Sequence, residues 1–302
     1  MKASCTTDPL RYLCRQSIIY MKIKYIKNKD IDRVRYDKSL NKAYNTNIFA
    51  TSWYLDLVCD DWDLLTEGNY ETICPLPIQK KLGLTIVRQP PKAPYLGVFS
   101  ASHLPADKVA HFLKAIPFHN ISLTLNHYNR INGYAHTDTR KVPVLDMIPP
   151  YEKIIERYSN KAKNILPVND GTFVMRSLRS DEYMRFRSSI RRSSKVQNIQ
   201  LARIINYTLR YKSAEIYSVY SPRNELIGAI FLIRTDNRLF LFDCIENKEG
   251  HKRLAIFRAI NHILESNCER NFILEVPFHC SHLTSMISFD YHHCVKLKKG
   301  FL

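Results

Sequence analysis

The chain has 302 residues, 45% hydrophobic and 24% charged, proportions that build buried cores and exclude an intrinsically disordered protein. That length predicts two domains, because single cores rarely grow past ~250 residues. The 45 Lys and Arg against 28 Asp and Glu give a formal net charge of +17, a field that draws anionic partners without naming one: acyl-CoA, nucleotide-linked sugars, tRNA and anionic membrane all fit, as does a basic surface with no dedicated partner.

Residues 1–20 contain only the short apolar patch Ile18-Ile19-Tyr20, below the ~7–15 residues of a signal-peptide core, and are expected to form a poorly ordered extension. A strand at Met21–Ile26 follows, then a helix from Asp30, its predicted N-cap, to Lys42 and a second helix at Phe49–Val58. Three strands with short connections, Trp62–Thr66, Tyr70–Ile78 and Leu84–Arg88, predict an antiparallel meander turning at Glu67-Gly68-Asn69 and Lys80-Lys81-Leu82-Gly83. After the proline-rich Gln89-Pro90-Pro91-Lys92-Ala93-Pro94, helical spacing of Val109, Phe112, Leu113 and Ile116 marks an amphipathic helix over Pro105–Ile116. Strands at Ile121–Leu125 and Val142–Leu145 close the half, and Pro149-Pro150 marks the boundary between domains 21–150 and 151–302.

A connecting helix over Tyr151–Lys163, within a linking segment 151–164, opens the second half. The same order then returns: strand Thr172–Leu178, helices Asp181–Lys195 and Ile199–Leu209, strands Glu215–Tyr220, Leu226–Ile233 and Leu239–Ile245, a helix from Lys252 to Ser266, a strand at Phe272–Val276, a short helix near Ser281–Ile287 and a strand at Cys294–Leu297. The second and third strands of each meander, and the strand after each long helix, keep a nearly constant offset, which is evidence of an internal repeat. Leu226–Ile233 and Leu239–Phe242 are apolar without alternation and are predicted as central strands covered on both faces. None of these runs approaches the ~18–20 residues of a membrane span. The eight cysteines are widely spaced with no C-x-x-C pair, which predicts reduced, buried thiols and a cytoplasmic protein.

This duplicated α/β order resembles two tandem copies of the Gcn5-related N-acetyltransferase (GNAT) fold, each a mixed, mostly antiparallel sheet flanked by helices. The duplication is similar to the FemAB-type branch, which includes peptidoglycan-bridge aminoacyltransferases. The runs Ile48-Phe49-Ala50-Thr51-Ser52-Trp53-Tyr54-Leu55-Asp56, Cys74-Pro75-Leu76-Pro77, Tyr95-Leu96-Gly97-Val98-Phe99-Ser100 and Tyr158-Ser159-Asn160-Lys161-Ala162-Lys163-Asn164 are similar to uncharacterised FemAB-like proteins of Bacteroidetes. The resemblance implies acyl or aminoacyl transfer to an amine, on a small molecule or a cell-wall precursor. Acyl-CoA or aminoacyl-tRNA would serve as co-substrate, with no tightly bound cofactor. A non-catalytic protein of the same fold that binds an anionic ligand or RNA is the alternative.

In this fold a Q/R-x-x-G-x-G/A loop cradles the CoA pyrophosphate with backbone N–H groups. The matching stretch is Asn247-Lys248-Glu249-Gly250-His251-Lys252, so Asn247, Gly250 and Lys252 are the cofactor-binding candidates. Only one glycine is present, and Gly250 fits a simple turn into a helix equally well. Asp243, Glu246 and Glu275 lie on the strands expected to line the cleft; an isolated buried carboxylate is costly, so each is a candidate general base unless it caps a helix or faces solvent. Arg185 and Arg192, on the densest basic segment, and Tyr158, Asn160 and Asn164, on the linking helix, are candidate substrate contacts. His279, Cys280, His282, His292, His293 and Cys294 are zinc-ligand types, but their spacing matches no zinc module, and no metal site is predicted.

Overall fold

The computed structural model of the chain describes residues 21–81, 83–132, 137–191, 193–278 and 280–300; the predicted extension 1–20 lies outside them. The first half contains β1 (Lys24–Ile26), α1 (Arg33–Lys42), α2 (Ser52–Val58), β2 (Asp61–Glu67), β3 (Thr72–Lys81), β4 (Leu84–Arg88), β5 (Phe99–Ser100), α3 (Ala106–Lys114), β6 (Asn120–Thr124) and β7 (Thr137–Asp146). Asp30 belongs to a separate 3-10 turn, and α1 is capped instead by Asp32, whose carboxylate accepts the Arg35 N–H at 3.0 Å. Strand β3 carries Pro75 and Pro77. Both pair with β2, while the other edge of β3 meets β5 only at Thr72 and Ile73 and β4 only from Ile78 onward. The prolines occupy the interval between these partners, where a missing N–H costs no ladder bond.

The second half begins with two short helices in place of the single predicted one, α4 (Tyr151–Glu156) and α5 (Asn160–Ile165). Ser159 starts the second by accepting the Ala162 N–H at 3.3 Å, a local bond that competes with continuation of the first helix. Next come β8 (Phe173–Ser177), α6 (Ser180–Ile190), α7 (Lys195–Arg210), β9 (Ala214–Tyr220), β10 (Leu226–Arg234), β11 (Arg238–Glu246), α8 (Lys248–Lys252), α9 (Ala255–Asn267), β12 (Ile273–Glu275), α10 (Ser281–Thr284) and β13 (Asp290–Lys299). The boundary between α6 and α7 is set by a capping box in which Ser194 and Gln197 satisfy one another's backbone N–H groups.

Among the described residues, all the strands join one 13-stranded sheet in the order β1-β2-β3-β4-β6-β13-β7-β12-β11-β10-β9-β8, with β5 paired to β3 off this path. The centre of the sheet is an exchange. β13, from the second half, lies between β6 and β7 of the first, and β7 lies between β13 and β12. The β7/β13 ladder runs from Val144 opposite Asp290 to Thr137 opposite Leu297, so the two strands play equivalent parts about a pseudo-two-fold axis. Each half thereby completes its sheet with a strand of the other.

Helices α1, α2, α6 and α7 cover one face of the sheet over a core that spans both halves, where Phe49 meets Phe240 edge-on at 5.0 Å between ring centroids. The opposite face is covered by α3 in the first half and by α4, α5 and α9 in the second. Strands β10 and β11 are buried along nearly their whole length, in keeping with their unbroken apolar sequences.

Candidate functional site

Strands β11 and β12 run parallel but pair only through Arg238–Phe240 and Ile273–Glu275. Beyond that point they part. Immediately after it, the β10–β11 register shifts: Leu241 opposes Leu232 and Asp243 opposes Phe231, leaving Phe242 as an extra residue on β11. A bulge of this kind bends its strand and increases its twist, which turns β11 away from β12. The result is a notch of about 240 Å³ lined by Leu241, Phe242, Asp243 and Cys244 on one arm, by Phe278 and Cys280 on the other, and by Lys92 and Arg191.

Lys92 enters this notch from the first half, and its loop is fastened on every side. Tyr54 donates its hydroxyl to the Lys92 carbonyl at 2.6 Å, Gln89 donates its amide to the Ala93 carbonyl at 2.6 Å, and Arg140 bonds both the Pro94 and Pro277 carbonyls. The Tyr95 hydroxyl donates to Glu275 at 2.5 Å. The Lys92 ammonium stands 5.4 Å from the Phe242 ring centroid and 5.9 Å from that of Phe278. Burial depresses its pKa, the nearby Asp243 carboxylate works against that shift, and Arg187 and Arg191 reinforce it.

Of the three predicted carboxylates, Asp243 alone lines the notch. It accepts from the Tyr183 hydroxyl and the Arg187 Nε, both at 2.7 Å, and from Arg191 at 3.5 Å. Glu275 is fully buried between Tyr95 and Arg238, and burial raises its pKa against the opposing pull of Arg238. Both of its oxygens are engaged, one by the Tyr95 hydroxyl of the Lys92 loop and one by Arg238, away from solvent. Glu246, at the end of β11, also has committed oxygens. Oε1 meets Nδ1 of His251 at 2.9 Å and Nδ1 of His282 at 2.8 Å, and Oε2 accepts the Ile256 N–H in the first turn of α9.

The predicted pyrophosphate loop is similarly occupied. The Asn247 side chain accepts the Gly250 N–H at 2.8 Å. A Cβ on Gly250 would lie 2.0 Å from the Ile227 carbonyl oxygen, so glycine is required there for the close packing of α8 on β10. Lys252 is exposed. The Gly250 N–H is thus taken by Asn247 and the Ile256 N–H by Glu246, and an anion placed at this loop would also face the Glu246 carboxylate at the N-terminus of α9.

The remaining candidates disperse. Tyr158 is buried against Phe257 and donates to Asn261 at 2.9 Å, whereas Asn160 and Asn164 are exposed. Arg185 is exposed and pairs with Asp181 on its own helix, and Arg192 lies outside the described residues. The basic segment is also less of a surface than its sequence implies: Arg187 is buried, and Arg176 pairs with Glu215. Among the zinc-ligand types, His282 alone joins a described cluster, with Glu246 and His251. His292 stacks on His127 at 3.7 Å, Cys294 is buried, and the Cys244 thiol donates to the Cys280 sulfur across the notch at 3.4 Å. His279 lies outside the described residues.

A wider cleft of about 720 Å³ opens between the halves, where Asn47, Thr51 and Trp53 face Lys212, Arg234 and Phe240. Asn47 is buried there with neither side-chain polar atom hydrogen-bonded. Phe240 borders this cleft and Phe242 borders the notch, two residues apart on β11. Sequence reasoning missed Lys92 and Asn47. A lysine set between Pro91 and Pro94, in the connection that follows a meander, was the available signal for Lys92.

The paired meanders, the bulged strand and the parting of β11 from β12 define a FemAB-like tandem GNAT fold. Among solved structures, the chain is similar to FemX, with a TM-score of 0.55 and 9% identity over 84% of this chain and 88% of that one. It is also similar to a conserved protein of unknown function from Bacteroides thetaiotaomicron, with a TM-score of 0.52 and 8% identity over 91% and 100% of the two chains. L-PGS from Bacillus licheniformis matches with a TM-score of 0.50 and 8% identity over 92% and 94%. Identities this low establish a shared fold. No protein-family model matches the sequence, and no curated protein matches it either. Among the described residues, no helix is long and apolar enough to cross a membrane.

Proposed function

We propose that the chain transfers an activated acyl or aminoacyl group to an amine, with the reacting carbonyl held in the notch between β11 and β12. The observation that carries this reading is the placement of Lys92: a desolvated amine, lowered in pKa, brought into the notch by a loop that four hydrogen bonds fasten. In its neutral form Lys92 accepts the proton that the attacking amine sheds as the C–N bond forms, and the resulting ammonium returns that proton to the leaving group as its bond to the acyl carbon breaks. Backbone N–H groups on the free edge of β11 beyond Phe240 serve the oxyanion. Asp243 positions this machinery by fixing Arg187 and Arg191 beside Lys92 and acts as no base, since its oxygens are committed.

The filled pyrophosphate loop argues for an acyl donor other than a CoA thioester, and an aminoacyl ester is the donor class that remains from the fold resemblance. The inter-half cleft, with Asn47 unpaired and Arg234 at its wall, is the place for the body of an anionic, amide-bearing acceptor such as a cell-wall precursor. Lys92→Met keeps the packing and removes the amine. Under this reading it lowers the rate of acyl transfer by 10²-fold or more, in line with the usual contribution of a general base, while the melting temperature holds within a few degrees. Transfer by Lys92→Met at the rate of the unsubstituted chain would remove Lys92 from the chemistry.

A further inference from the structure

At the outer end of the notch stands a cluster to which the transfer reading gives no task. Glu246 closes β11, His251 lies on α8, and His282 lies on α10, which follows β12. The ligand atoms of the three residues all lie within 4.8 Å of one another, and both imidazole Nδ1 atoms converge on the single oxygen Glu246 Oε1. The rings face each other at 4.2 Å between centroids. Glu246 and His282 are largely shielded, with side-chain exposures of 9% and 17%, and His251 at 63% leaves one side open. The Nε2 of His282 is buried without a hydrogen-bond partner.

We infer that Glu246, His251 and His282 form a binding site for a divalent transition-metal ion, best suited to Zn²⁺. Two imidazole nitrogens and one carboxylate oxygen are a zinc donor set, and three protein ligands with a fourth position open to solvent are the arrangement of an accessible site. Bonds of ~2.0–2.2 Å in tetrahedral geometry hold ligand atoms ~3.3 Å apart, close to the spacing already present, so little movement is needed. The supporting shell is formed around Glu246 and His251, while the Nε2 of His282 has no partner. Glu246 Oε2 is held by the Ile256 N–H, and the turn leading to His251 is held by the bond from Gly250 to the Asn247 side chain. An ion here would tie the arm after β11 to the arm after β12 and fix the width of the notch at its mouth. The inference is independent of the transfer chemistry, since it requires only these three side chains.

The test uses the full chain without a histidine tag, stripped with a chelator and titrated with ZnCl₂ by calorimetry, with Co²⁺ absorption as a second readout. One Zn²⁺ per chain is expected, with a rise in melting temperature on saturation. His282→Ala and Glu246→Gln should each weaken binding by 100-fold or more, while the exposed His293→Ala should leave it unchanged. Melting of each variant in chelator establishes that it is folded, and Co²⁺ spectra read the ligand set directly. Absence of stoichiometric binding, or binding that both His282→Ala and Glu246→Gln retain, would overturn the assignment and leave a hydrogen-bonded Glu–His cluster.

Discussion

Replacing Asp243 with alanine removes the carboxylate that neutralises Arg187 inside the protein. The two side chains are 6% and 7% exposed and 2.7 Å apart, so solvent screening, which reduces a surface pair to ~0–1 kcal/mol, does not apply. Losing one partner of a buried pair costs about 3–5 kcal/mol because the other charge is left uncompensated. The Tyr183 hydroxyl also loses its acceptor, at about 1 kcal/mol. Ser193 and Asn198 still accept from Arg187 and soften the loss, so the expected cost is about 4 kcal/mol, a fall of roughly 6 °C in melting temperature for a chain of this size. The double variant Asp243→Leu with Arg187→Met removes both charges and should recover at least 2 kcal/mol of that loss, since apolar replacement of a whole buried pair is often neutral. Urea denaturation followed by circular dichroism measures all three proteins. A cost below about 1 kcal/mol for Asp243→Ala, or a double variant less stable than the single one, would refute the reasoning.

Three further outcomes are expected. Gly250→Ala drives a Cβ into the Ile227 carbonyl and should cost about 1–3 kcal/mol as overpacking, read in the same denaturation assay. Burial lowers the pKa of His127 to about 3 and that of the stacked His292 to about 4, from 6.5. A depressed folded-state pKa means that the unfolded chain takes up protons first, so the pair has no effect above about pH 6.5 and stability falls as the pH drops from there through about 4 for His292 and toward 3 for His127; His127→Phe should flatten that slope in denaturation midpoints measured at pH 7 and pH 5. Glu275, raised by burial, acts in the opposite sense from about pH 4.5 upward. Truncation after Ser288 deletes β13 and exposes the edges of both β6 and β7, which predicts an aggregating chain with no cooperative melt.

The elements were legible wherever their signal is local. The apolar runs of β10 and β11, the stripe of α3 and the order of the meanders all follow from side-chain periodicity, and the offset between the halves exposed the duplication. The exchange of β7 and β13 was not legible, because Thr137–Asp146 and Asp290–Lys299 are polar strands whose neighbours are chosen by contacts more than 140 residues apart in sequence. The candidate site divides in the same way. Asp243, Glu246 and Glu275 stood out through the cost of burying a carboxylate, but the partners that decide what each one does, Arg187, His282 and Tyr95, lie 56, 36 and 180 residues away in the chain. Lys92 read as part of a linker because prolines surround it, and those prolines are what stiffen the loop that delivers it.

The crossed strands also bear on how the molecule is made. A ribosome that has finished β6 and β7 has produced a first half whose sheet still has a vacant lane, and the strand that fills it ends at Lys299. At ~5–20 residues per second, roughly ten to thirty seconds of translation separate β6 from its neighbour. During that interval the nascent chain presents two unpaired strand margins, on β6 and on β7, which only β13 covers.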